Sequence, residues 1–502
     1  MRKFDDIVVG SGIGGMTLAL LLAETGRSVL LIEKSRAVGG SMLRFYRDGV
    51  PFDTGFHFTG GFVGQSLFRD MLQLLQIDEM IRPVFVDGKG SSRIVVESHG
   101  LDFDLPAGCE AATETLKGYF PGEHAAIDAY FATTKRVCDR TAGMSLRHPS
   151  AFPVLQPEDQ ISLEEGLDRL TENPILKSVL SIYAMTYGTR PSEISFANHC
   201  RVAQAMHESI ARVENGGDAF VRAFRARAQG LPIEIKRGTT IVECADVRER
   251  TVGRFVLSDG EEVAADRCTF TIHPFDILKT LPREHIKKAF INRVTDFEPT
   301  IAMFSVYGVL DSPEPVSPDE RFGPSILSLL PTPDVDQLFD PHRDGDQALV
   351  IMRSIETAGR RSHKVVNVLE IAFTEDVQQW IDCSGDREAS YLEYKERRVE
   401  RIKERLFAAY PEYRDSYRVV KTASPLTFRD YLNSPDGSAY GVKQKIGQHN
   451  LFGRLPLRNL HAAGQSAMLP GVIGAMAASV IVGRSIMGNE QYLRLLEQRL
   501  GV

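Results

Sequence analysis

Ile7-Val8-Val9-Gly10-Ser11-Gly12-Ile13-Gly14-Gly15-Met16, followed by Val29-Leu30-Leu31-Ile32-Glu33, decides how this chain folds. Three apolar residues make a buried strand. The strand runs into a G-x-G-x-x-G turn, a helical run from Met16 to Glu24 follows, and after Gly26 a second apolar strand ends on Glu33. An acidic residue about 20 positions past the glycines is what a dinucleotide fingerprint requires. Gly10 permits the tight turn, Gly12 lets the backbone approach a pyrophosphate, and Gly15 lets helix and strand pack closely. With Ile13 and Gly14 opening the helix, its free N–H groups face the phosphates. Glu33 is expected to accept hydrogen bonds from a ribose diol. Glycine-rich turns also arise for structural reasons alone, and the placement between two strands, with Glu33 after them, is what makes this one specific.

The pattern continues past Glu33. Lys34 to Val38 lead into Gly39-Gly40-Ser41, and this Glu-x5-Gly-Gly extension resembles the adenine-dinucleotide motif of FAD-dependent oxidoreductases more than that of NAD dehydrogenases. The expected cofactor is therefore FAD. Glu33 also disfavours a 2'-phosphorylated ribose, which needs a cation at that place.

Composition narrows the remaining classes. A chain of 502 residues with 43% hydrophobic residues has enough apolar content for two domains. A net charge of -7 provides no basic track for a polyanion, so nucleic-acid binding is not expected. Arg2 and Lys3 are followed at once by Asp5 and Asp6, and the short apolar run after them reads as a strand in place of a signal peptide. Gly471 to Gly483 is too short and too rich in Gly and Ala for the roughly 20 apolar residues of a membrane span. The six cysteines, Cys109, Cys138, Cys200, Cys244, Cys268 and Cys383, are far apart, which reads as reduced core thiols of a cytoplasmic protein with no metal site.

Along the chain there is neither repeat nor low-complexity linker, which suggests interleaved domains. Residues 1–85 hold the dinucleotide unit and an amphipathic helix around Ser66 to Leu75. Pro106 to Arg212 reads as mostly helical. Gly216-Gly217 then open a helix, followed by strands at Ile233 to Ile235, around Ile241, at Arg254 to Leu257 and at Asp266 to His273. Thr300 to Val309, Ala348 to Arg353 and Val365 to Phe373 read as strands of an antiparallel sheet, and Arg387 to Ala409 as a charged amphipathic helix. Leu457 to Ala463 reads as a strand, Gly464-Gln465 as its turn, and Gly471-Val472-Ile473-Gly474 as the start of a long helix. The expected fold is α/β, a Rossmann-like FAD-binding domain (1–85, 213–280 and 441–502) with an inserted α+β substrate domain (86–212 and 281–440).

Several motifs together resemble the phytoene desaturase, carotenoid isomerase and retinol saturase family within the amine-oxidase-like flavoproteins. They are Asn459 to Gln465 with Pro470 to Ala475, Asp53-Thr54-Gly55-Phe56-His57, and Asp436-Gly437-Ser438-Ala439-Tyr440-Gly441. The resemblance implies a backbone group near Ile241 at the adenine. It also implies a second helix N-terminus, at Gly471, Val472 and Gly474, against the flavin, which suits the free N–H groups there. Without a cysteine in the C-terminal turn, the FAD is expected to be non-covalent. The family's long isoprenoid substrates imply an apolar tunnel, an external electron donor or acceptor, and a peripheral contact with a membrane surface. Leu67, Phe68, Met71, Leu72, Leu74 and Leu75, with Ala151 to Leu155, are candidates for the tunnel mouth, and ordinary core is the alternative reading. His57 is the candidate acid/base or flavin-contacting residue, a satisfied structural histidine being the alternative. His273, His199 and Tyr440 are weaker candidates. Three activities stay open: desaturation or saturation of a carbon-carbon bond, cis/trans isomerisation on reduced flavin without net redox, and amine oxidation, for which the 8% aromatic content and single tryptophan give a poor cation pocket.

Overall fold

The computed structural model describes all residues except 87–91, 148–153, 313–315, 317–321, 323–324 and 382–387. Its first sheet grows around the fingerprint. Strand β1 (Arg2–Val9) lies parallel to β2 (Val29–Glu33) on one side and to Glu262–Phe270 on the other. Ile233–Arg237 extends the sheet beyond β2, while Ile241–Ala245 and Arg254–Leu257 extend it antiparallel at the far edge. Leu460–Ala462 returns parallel to Glu262–Phe270 from almost two hundred residues away. Along β1 the buried side chains alternate between two cores, Ile7 and Val9 in one and Val8 in the other, so both faces of the sheet are covered.

Helix α1 (Ile13–Ala23) is buried over nearly its whole length because Gly471–Met487 packs along it. Small residues make this possible: a Cβ on Gly483 would sit 2.5 Å from Leu21 Cδ2, and one on Gly14 would sit 3.0 Å from Gly464 Cα. The two glycine-rich helices therefore form one layer over the sheet.

The second sheet is mostly antiparallel. Its order is Tyr417–Ala423, Ala302–Leu310, Arg361–Ala372, Leu349–Ala358, Ser325–Leu330, Ser92–Val96 and Leu101–Leu105. Ala389–Ala409 covers one face, and the helices between 109 and 208 stand over the other. The molecule is thus α/β, a Rossmann-like unit carrying an α+β unit. Some elements differ from expectation. The strand expected over Leu457 to Ala463 shrinks to Leu460–Ala462, because Leu455 N–H and Leu460 C=O close a turn before it. The hairpin Ser92–Leu105 was not expected, although Leu101, Phe103 and Leu105 alternate with Asp102 and Asp104.

A buried ionic cluster ties the hairpin Arg44–Asp53 and the strand Ala211–Val213 to the second sheet. Arg44 and Asp53, on the hairpin Arg44–Asp53, pair at 3.0 Å, and Arg212 reaches Asp53 at 2.5 Å and Glu356 at 2.6 Å. Arg44 also pairs with Glu356, which extends from the middle of the second sheet. All four groups are shielded from water, so each charge depends on the others.

Candidate functional site

The turn after β1 forms the floor of a cavity of about 530 Å³. Gly10, Gly12, Ile13, Gly14, Glu33, Lys34, Gly40 and Ser41 line it, as do Ile241, Gly464 and Gln465. Gly10 has φ +96, which favours glycine, and its carbonyl accepts from Thr271 Oγ1 at 3.1 Å, which pins the turn to the end of Glu262–Phe270. A Cβ on Gly12 would meet nothing within 4 Å: the turn presents bare backbone to open space. Gly15 is turned the other way, where a Cβ would lie 1.9 Å from Gly10 O. These are the two distinct reasons for glycine that a pyrophosphate cradle demands.

Glu33 closes the cavity at one end. Its Oε2 accepts from Ser11 N–H at 2.9 Å and Ser11 Oγ at 2.5 Å, and its Oε1 accepts from Ser35 N–H at 2.7 Å. The carboxylate is thereby fixed in orientation, with Oε2 fully engaged and one lone pair left on Oε1 for a ribose hydroxyl. Gly39 does not reach the cavity; it has φ +134, and a Cβ there would press Val221 Cγ2 at 2.7 Å. Sequence reasoning missed Thr271 and the wall formed by Leu432, Asn433 and Ser434, which comes from the second domain. His273 lines the same cavity, with its Nε2 3.1 Å from Asp436 Oδ2. Burial would raise the Asp436 carboxyl, but His273 and Ser438 hold it down at about 2.

A second cavity of about 900 Å³ lies beyond the glycine-rich helix start. Gly471, Val472 and Gly474 line this cavity, whereas the adjacent Ala475 lines the first. Its apolar lining includes Phe58, Leu67, Phe68, Met206, Leu469 and Ile473, and its polar rim includes Lys135, Asp139, Arg201 and Glu208. Val154 and Leu155 stand at this cavity with 67% and 69% exposure. The candidate tunnel residues thus divide: Leu67 and Phe68 face the space, but Met71, Leu72, Leu74 and Leu75 are core. Ala151 to Pro153 lie outside the described residues.

His57 lines neither cavity. Its imidazole is half-buried, Nδ1 has no hydrogen-bond partner, and burial pushes it down to about 4 against the opposing charge of Asp53. Its carbonyl accepts from Arg212 at 3.4 Å, so the segment hangs on the ionic cluster. His199 is buried between Tyr130 and Tyr187, each hydroxyl 2.9 Å from a ring nitrogen, and Tyr440 donates to Met185 C=O at 3.1 Å. Neither lines either of the two cavities. Among the described residues no cluster of His, Cys, Asp or Glu could hold a metal ion, and no helix is long and apolar enough to cross a membrane. Cys109, Cys138, Cys200, Cys244 and Cys268 are free thiols; Cys383 lies outside the described residues.

Residues 8–74 match the NAD(P)-binding Rossmann-like domain family. The sequence is 26% identical to all-trans-retinol 13,14-reductase from Danio rerio, across 98% of this chain and 87% of that one. It is 28% identical to hydroxyneurosporene desaturase from Rubrivivax gelatinosus, across 54% of this chain and 53% of that one. The chain resembles the retinol-reductase and carotenoid-desaturase group. Among solved structures, an oxidoreductase from Methanosarcina mazei superposes with TM-score 0.66 at 15% identity, covering 96% of this chain and 99% of that one. Putrescine oxidase bound to putrescine gives TM-score 0.61 at 14% identity over 97% and 98%. These two share the fold, and the group resemblance rests on the sequence relatives.

Proposed function

We infer that this protein is an FAD-dependent oxidoreductase that saturates or desaturates a carbon-carbon bond of a long apolar substrate of the retinoid or carotenoid kind. One observation carries the reading: a single turn of helix, Gly471 to Ala475, lies between the cavity built on the glycine-rich turn and a larger, largely apolar one. The nucleotide domain, residues 1–85, 213–280 and 441–502, holds FAD without a covalent bond. The substrate domain, 86–212 and 281–440, shapes the second cavity.

Bound FAD supplies hydride transfer. The chain supplies the rest. The N–H groups after Gly12 receive the pyrophosphate, Glu33 the ribose, and Gly40 and Ser41 continue the cradle toward Gly464 and Gln465. The N-terminus of Gly471–Met487 places its unpaired N–H groups at the boundary between the two cavities, where they stabilise negative charge. Phe58, Leu469 and Ile473 exclude water from that boundary. With its imidazole at about 4 and away from both cavities, His57 is neutral at pH 7 and touches neither cofactor nor substrate; it holds its segment beside the ionic cluster. Exposed Val154 and Leu155 give the second cavity an apolar lip for a peripheral membrane contact, through which the substrate enters. An external donor or acceptor returns the flavin to its starting state.

The test is the visible spectrum of natively purified protein, before and after heat release of the chromophore, followed by mass analysis of a polyene substrate after turnover. Two flavin bands in the supernatant and a product differing by two hydrogens support the reading. A protein that stays colourless after incubation with FAD overturns the cofactor assignment. A product of unchanged mass overturns the redox reaction.

A further inference from the structure

The dinucleotide cavity is closed, opposite the fingerprint, by a strap that belongs to the other domain. Tyr431 and Leu432 end the helix Pro425–Leu432, and Asn433 and Ser434 begin the loop after it; all four line the cavity. The loop is rooted in the substrate domain. Thr374 Oγ1 donates to Asp436 C=O, and Gly437 is so close to the helix start that a Cβ would lie 2.9 Å from Pro425 O. Internally the loop is stiff: Asp436 Oδ1 accepts from Ser438 N–H at 3.0 Å, Ser438 Oγ at 2.6 Å and Ser434 Oγ at 3.1 Å.

Its attachment to the nucleotide domain consists of two side-chain contacts, one weak and one ionisable. Asn433, held at φ +55, donates from Nδ2 to Ser35 Oγ at 3.5 Å, two residues past Glu33. Asp436 Oδ2 lies 3.1 Å from His273 Nε2, while His273 Nδ1 accepts from Phe275 N–H at 3.3 Å at the start of Pro274–Thr280. At the edge of the strap the Tyr431 ring is 76% exposed. A segment stiff in itself, joined to one bank by backbone and close packing and to the other by two side chains, moves as a unit when those two contacts part.

We propose that Tyr431 to Ser438 is a gate for the cofactor: the dinucleotide enters and leaves when the strap lifts off Ser35 and His273, and the closed strap covers its adenosine end. This rests on the FAD reading above. It goes further in assigning the rate of cofactor exchange to residues of the substrate domain. A gate lowers the barrier in both directions when weakened, whereas a binding contact slows departure alone.

The experiment uses the full chain stripped of flavin. FAD association is followed by stopped-flow fluorescence quenching, and dissociation by transfer to a flavin-scavenging apoprotein. The variants are Asn433→Gly, which keeps the left-handed backbone while removing the amide, and Tyr431→Ala, on a ring too exposed for its loss to unfold the protein. Loss of one weak tie is expected to raise the association and dissociation rates together by about fivefold, leaving Kd within about twofold. A rise in the dissociation rate alone makes these residues contacts and overturns the gate. Unchanged rates in both variants, with wild type binding FAD normally, overturn it as well. A wild-type chain that takes up no FAD removes the flavin reading, and the gate falls with it.

Discussion

Replacing Gly12 by valine separates ligand recognition from folding. Gly12 is the N-cap of α1 with φ -63 and ψ -179, a backbone open to any residue, and its added Cβ would touch nothing within 4 Å. Valine caps a helix less well than glycine, by about 1 kcal/mol. It also restricts the unfolded chain, which offsets about 0.4–1 kcal/mol of that. The net change in stability is therefore within about 1 kcal/mol, and the melting temperature moves by a few degrees at most. Binding is another matter. The side chain would occupy the space the pyrophosphate needs, and losing two charge-assisted hydrogen bonds to backbone N–H costs about 3–6 kcal/mol. That corresponds to about 10²- to 10⁴-fold in Kd. Flavin stoichiometry by absorbance, FAD titration by fluorescence and a thermal melt, all on Gly12→Val, check both halves. A variant with full FAD occupancy refutes the assignment of this turn to the pyrophosphate. A variant that does not fold refutes the claim that the space before Gly12 is reserved for a ligand.

Gly15→Ala should do the opposite: its Cβ would lie 1.9 Å from Gly10 O, so unfolding should become easier by about 3 kcal/mol or more, visible as a lower melting temperature. Arg212→Ala leaves Asp53 and Glu356 short of a buried cation and should cost about 3–5 kcal/mol in urea denaturation; an unshifted midpoint would show that the cluster does not hold the hairpin Arg44–Asp53 to the second sheet. Burial pushes the imidazoles of His199 and His207 down to about 3, while in the unfolded chain they protonate near 6.5. Because the unfolded state binds more protons in between, their contribution is complete above about pH 6.5 and is lost as pH falls toward 3. The urea midpoint should accordingly drop between pH 7 and pH 5, and a rise would contradict the neutral, buried assignment. Val202→Trp, on the wall of the larger cavity, should raise KM for a polyene about tenfold while FAD content stays at the wild-type level.

The strand-turn-helix-strand of the first 33 residues was legible because each of its requirements is local. A positive φ at Gly10 and close packing at Gly15 demand glycine for the fold, and bare backbone at Gly12 demands it for a ligand, at three fixed offsets. The second helix start was legible for the same reason, but its place was not: Gly471, Val472 and Gly474 turn out to border the larger cavity. Amphipathic stripes could not separate Leu67 and Phe68 from Met71 to Leu75, because a stripe records that one face is covered and not by what. Nothing local marked the ionic cluster, whose Arg44 and Glu356 are 312 positions apart, or the strap across the cofactor cavity. Asn433 and Asp436 look like ordinary turn residues until the other domain is brought beside them. Only the hairpin Ser92–Leu105 left a local sign that went unread, in the alternation of Leu101 to Leu105.

The central sheet sets Val9 beside Phe270 and Phe270 beside Ala462, so its neighbours in space are made far apart in time. A nascent chain can form β1, α1 and β2 early, yet that unit lacks its parallel neighbour Glu262–Phe270 until the middle of the sequence has left the ribosome. Gly464, Gln465 and the helix that shields α1 arrive almost two hundred residues after that strand. Long-range pairings of this kind fold slowly and keep apolar surface exposed while they wait. Cofactor capture therefore waits on distant sequence: a dinucleotide meets a finished cradle only after Gly464 and Gln465 have emerged, and a chain stopped short of Leu460 has a fingerprint but no site.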